Sequence, residues 1–132
     1  MGEAMTWTFE SGSGKFYDPQ GEHIATGYAG GNCGKNPEGI NNPEMQAVKG
    51  IGPLPEGVYT LGEPVEHSQL GAFAIPLKPD PSNDMMGRGG FYFHGDSKEY
   101  ECGSEGCIVM APSIRHQVWE SDDHTITVVA VK

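Results

Sequence analysis

The sequence predicts a mainly β domain of short strands joined by turns, and three observations carry that expectation. Glycine (20) and proline (10) are so frequent in 132 residues that few stretches of ten lack both, a density that interrupts long helices. Near the N-terminus, apolar and polar residues alternate with the period of two of a half-buried strand. The C-terminus closes on a β-branched run, DHTITVVAVK, suited to a pleated surface. The length fits a single domain, residues 1–132, large enough to bury a core.

Taken in order, the stretch MTWTFESGSGKFYDPQGEHIATGYAG places Trp7, Phe9, Phe16 and Ile24 at alternating positions, broken by SGSG and DPQG. It reads as three short strands joined by two hairpin turns. The segment GGNCGKNPEGINNPEMQAVKG has the Gly, Asn and Pro density of irregular loop, with one helical turn expected near Glu44 to Val48. IGPLPEGVYTLGEP then launches a strand from Val58 to Leu61, and GAFAIPLKP is another, ended by its prolines. In GRGGFYFHGD, Phe91 and Phe93 point to one face while Tyr92 and His94 point to the other, so His94 stands at a strand end where a side chain can face a cleft. APSIRHQVWES suits a short helix opening at Pro112 or Ser113. No internal repeat or interdomain linker interrupts the chain.

Composition excludes several function classes. A formal net charge of -10 argues against nucleic-acid binding through a grip on phosphates. Such charge keeps a protein soluble and also suits a basic partner. No stretch approaches the roughly 18 apolar residues of a membrane span. The N-terminus shows no basic region followed by an apolar one, which leaves cytosolic residence, a removed signal or export without a cleavable signal.

The chemistry centres on GSEGCIVM, where Cys107 stands between a Gly/Ser loop and an apolar run. A nucleophilic cysteine needs a base, an orienter for that base and donors for an oxyanion. His94 lies thirteen residues upstream, enough chain to bring the two side chains together. Gly103 and Gly106 leave the backbone accessible, so the N–H groups of Gly106 and Cys107 are candidate oxyanion donors. Ser104 can hydrogen-bond within the loop. Two other readings stay open on the residues alone. Cys107 can be an inert buried cysteine, or part of a zinc site built from the C-x4-C of CGSEGC with His94 and His116. Cys33 and Cys102 can pair as a disulfide in an oxidising compartment, leaving Cys107 as the thiol.

Four blocks in this order, GYAGGNCGKN, GIGPLPEGVYTL, MMGRGGFYFHGDS and GSEGCIVM, resemble the L,D-transpeptidase fold family, and more narrowly its type VI secretion effectors, toxins that injure rival bacteria from the periplasm. The resemblance spans roughly Thr6 to Val131. It implies an L,D-transpeptidase-like β-sandwich or barrel with one or two short helices. It also implies Cys107 as nucleophile, His94 as base, and Gly95 as source of a backbone carbonyl that orients the imidazole. Ser104 matches the loop serine. Arg88 matches a recurrent arginine expected to hold the site or a substrate carboxylate, and Asp96 is a further candidate substrate contact. Glu105 and Val109 stand where many relatives of that fold carry His and then Arg or Asn.

The activity so implied is cysteine-dependent modification of peptidoglycan stem tetrapeptides, as an L,D-carboxypeptidase or by L,D-transpeptidase exchange with a D-amino acid. No metal or organic cofactor is implied. The implied partners are peptidoglycan stem peptides, the secretion apparatus and a cognate immunity protein. The implied route is synthesis in the cytoplasm, secretion, and action in a target periplasm. A papain-like peptidase would place its cysteine before its histidine, the reverse of the order here. A non-catalytic peptidoglycan-binding or adaptor module of the same fold, or a housekeeping L,D-transpeptidase, are the alternatives.

Overall fold

The computed structural model describes residues 6–31, 37–49, 51–67, 71–95, 107–121 and 123–130. The described chain is mainly β, with a nearly closed, barrel-like sheet and one short α-helix. The three N-terminal strands are β1 (Trp7–Glu10), β2 (Lys15–Tyr17) and β3 (His23–Thr26), antiparallel neighbours as the turn signals predict. The helical turn expected near Glu44 forms as a single 3-10 turn, Pro43–Met45, capped by Asn42. Proline at its first position pre-sets the backbone, and the N–H it lacks would have no partner within the turn.

Later come β5 (Gly57–Leu61), β7 (Gly71–Pro79), β8 (Tyr92–His94), the helix α1 (Pro112–Glu120) and β10 (Thr125–Val129), each where a strand or helix was expected. Three strands were not foreseen: β4 (Tyr28–Ala29), β6 (Val65–His67) and β9 (Ile108–Val109). Two or three residues are too few to display a periodicity.

The strand order is β3-β2-β1-β10-β5-β7-β8-β9-β4, with β6 also paired to β7. Two neighbour pairs are parallel. In the first, β1 lies on β10 with Trp7 opposite Ile126 and Phe9 opposite Val128. Inward residues of both strands thereby share one face, which the alternating burial of each strand requires. In the second, β8 lies on β9, with Phe93 opposite Ile108 and His94 opposite Val109. Parallel neighbours cannot be joined by a tight turn, and residues 96–106, which link these two, lie outside the described residues.

Inside, Trp7 stacks on Phe16 with centroids 5.6 Å apart, and Phe16 meets Phe93 at 5.7 Å. This aromatic row ties the N-terminal hairpins to β8. Phe9, Phe16, Tyr59, Phe93, Ile108 and Ile126 are fully buried.

The two ends of the sheet, β3 and β4, are consecutive in the chain and separated by Gly27 alone. A Cβ at Gly27 would stand 2.2 Å from the carbonyl oxygen of Val109 in β9, so closure depends on the missing side chain. Gly89, by contrast, has nothing within 4 Å of its would-be Cβ. Gly27→Ala is therefore expected to lower the unfolding free energy by about 1–3 kcal/mol, the range for forced overpacking. Gly89→Ala should stay within about 0.5 kcal/mol of the parent, both read from urea unfolding.

Candidate active site

His94 ends β8, a strand flanked by β7 on one side and β9 on the other, with α1 packed against β7 and β8. The imidazole is fully buried, where the sequence suggested an open cleft. Its Nδ1 lies 2.8 Å from the carbonyl oxygen of Gly95. A carbonyl can only accept, so Nδ1 carries the hydrogen and donates it. The neutral ring then has its basic lone pair on Nε2, the form a general base needs.

Cys107 directly precedes β9 and is a thiol 8% exposed to solvent. The register of β8 and β9, with side chains alternating along each strand, puts Cys107 and His94 on the same face, opposite to Phe93 and Ile108. The two positions lie diagonally on adjacent strands. The backbone N–H of Tyr92 donates to Cys107 Sγ at 3.3 Å.

Arg88 is buried at the approach to β8. Its Nη1 donates to the carbonyls of Gln46 (2.6 Å) and Pro53 (2.8 Å), and Nη2 donates to Gly52 (3.1 Å). Its guanidinium also lies 5.2 Å from the Phe91 ring centroid. Burial lowers its pKa, against the electrostatic influence of Tyr59 and Cys107. Arg88 thus ties the main chain at Gln46 to that at Gly52 and Pro53. Burial also raises the Tyr59 pKa, with Arg88 opposing the shift, and the Tyr59 hydroxyl donates to the Pro55 carbonyl at 2.6 Å.

Arg115 is the residue that sequence reasoning missed. It lies in α1, is buried with Val118, and its pKa is lowered by that burial. Nε donates to the Met110 carbonyl at 3.2 Å and Nη1 to that of Phe73 at 2.8 Å. The available signal was its spacing, three residues before Val118 on the inner stripe of a short helix. A cation on such a stripe needs buried acceptors.

The structure therefore brings Cys107, His94, Gly95 and Arg88 to one region. Ser104, Gly106 and Asp96 lie outside the described residues, as do Cys33 and Cys102 of the expected disulfide. Cys102 of the zinc reading lies there too, while His116 is exposed and stacks on Phe73 with centroids 3.7 Å apart.

A protein-family model described as the Tlde1 domain matches residues 27–132. No curated protein matches the chain.

Arg88→Lys keeps the charge but loses the planar fork that reaches three carbonyls. It is expected to cost about 2–4 kcal/mol of stability, seen as a lower urea midpoint with an unchanged slope. A midpoint equal to that of the parent would show that the guanidinium does not hold the 46–53 segment.

Proposed function

Because the chain belongs to the Tlde1 domain family, a family of type VI secretion effectors that act on peptidoglycan, we propose that it is a cysteine-dependent enzyme cutting or exchanging the terminal residue of stem tetrapeptides. The observation that carries this reading is the hydrogen bond from His94 Nδ1 to the Gly95 carbonyl. It leaves Nε2 as the basic nitrogen, on the strand paired with the one that Cys107 enters.

In this reading His94 Nε2 takes the proton of Cys107, and the thiolate attacks the carbonyl at the L-centre of the third stem residue, diaminopimelate in many walls. The carbonyl oxygen becomes an oxyanion, held by main-chain N–H groups at Gly106 and Cys107. Collapse breaks the peptide bond, and the terminal D-alanine leaves with the proton carried by His94. The thioester at Cys107 is then resolved by water, giving a shortened stem, or by the amine of a D-amino acid or a neighbouring stem, giving exchange or a cross-link. Ser104 and Asp96 would act within the adjoining loop. The chemistry calls for no metal or organic cofactor.

As an effector the protein would be made in the cytoplasm, leave through the secretion apparatus and act in the periplasm of a target cell. A cognate immunity protein would protect the producer. Among the described residues no helix is long and apolar enough to cross a membrane.

The test is mass spectrometry of purified muropeptides incubated with the protein, with and without added D-methionine. Wild type should convert tetrapeptide to tripeptide, or to the D-methionine adduct when the amino acid is present. Cys107→Ala and His94→Ala should each reduce conversion by at least about 10³-fold. Undiminished conversion by Cys107→Ala would overturn the reading.

A further inference from the structure

We propose that Arg115 is a positioning residue for His94, fixing the peptide whose carbonyl sets the tautomer of the imidazole; the inference rests on the reading of His94 as the base for Cys107. Continuing the strand registers by two residues identifies what the guanidinium touches. From Ile75 opposite Phe93 in the antiparallel β7–β8 pair, Phe73 falls opposite Gly95. From Phe93 opposite Ile108 in the parallel β8–β9 pair, Gly95 falls opposite Met110. On that continuation Phe73, Gly95 and Met110 fall into line as a rung just beyond the last paired residues, Ile75 with Phe93 and His94 with Val109.

Arg115 engages all three members of that rung. It donates to the Phe73 carbonyl at 2.8 Å and to the Met110 carbonyl at 3.2 Å. At Gly95 it packs so closely that a Cβ there would lie 2.6 Å from Nη2. The Met110 N–H in turn donates to the His94 carbonyl at 2.9 Å, so the residue Arg115 grips on one side is bonded to the histidine itself. The middle member, Gly95, supplies the acceptor for His94 Nδ1.

The outer member shows the grip from a second direction. Phe73 has φ 58, a left-handed conformation that an aromatic residue enters only under constraint. Its carbonyl meets Arg115 and its ring stacks on His116, the next residue of the same helix. Two consecutive residues of α1 thus hold Phe73 by backbone and by ring.

The test uses the full chain and two readouts, the 15N shifts of the His94 ring and the pH profile of Cys107 alkylation by iodoacetamide followed by peptide mapping. Wild type should show the Nδ1–H tautomer and an alkylation profile that His94→Ala shifts to higher pH. Folded Arg115→Met is expected to mix the tautomers and slow alkylation roughly ten-fold or more at about pH 6.5. Arg115→Lys, which keeps the charge but not the fork, should fall between, and it carries the test if Arg115→Met does not fold. A wild-type tautomer and alkylation profile in either folded variant would overturn the proposal. Equal alkylation of wild type and His94→Ala would instead overturn the His94–Cys107 reading, with the tautomer still reporting on Arg115.

Discussion

A fully buried imidazole bonded through Nδ1 to the carbonyl of the next residue, Gly95, places a demand on everything around it. The ring can hold that bond only if the Gly95 peptide does not rotate and if β8 does not slide against its neighbours. β7 and β9 meet the second requirement from either side. The row from Trp7 through Phe16 to Phe93 holds β8 from beneath. That row is built partly from residues before position 27, where the match to the family begins. The N-terminal hairpins therefore belong to the same packed unit as the site: β1 supplies a parallel neighbour for β10, and β2 supplies the ring against which Phe93 rests.

The charge distribution is inverted between surface and interior. The chain carries a net charge of -10, yet the ionisable side chains buried near the site include two guanidinium groups, Arg88 and Arg115. Burying a cation is costly unless its donors find acceptors. Here main-chain carbonyls serve that purpose, at Gln46, Gly52 and Pro53 for Arg88 and at Phe73 and Met110 for Arg115. Guanidinium suits this task because its N–H groups spread in a plane and reach several carbonyls at once. Each arginine stitches together main-chain segments distant in sequence.

Much of this was readable from the residues. The alternation of Trp7 and Phe9, the GRGGFYFHGD strand and the proline-led helix all act through local spacing, and each formed where its pattern pointed. Cys107 and His94 were visible because a glycine-flanked thiol and a strand-end histidine are chemically distinctive. The parallel pairing of β1 with β10 was not readable, since it joins the two ends of the chain and leaves no local trace. β4 and β9 were too short to show a period. The depth of His94 escaped notice because burial of a strand end depends on what covers it, here α1 packed on β7 and β8. Arg115 escaped because an arginine in a short helix looks solvent-facing until the acceptors inside are known.

The central claim is that Cys107, activated by His94, takes an acyl group from the stem peptide. Intact-protein mass spectrometry after brief incubation with a purified disaccharide tetrapeptide and acid quenching tests it most directly. The account predicts a covalent adduct of the substrate less its terminal D-alanine, mapped to Cys107 and absent from His94→Ala. Loss of D-alanine with no adduct at Cys107, or with the adduct on another residue, would contradict it.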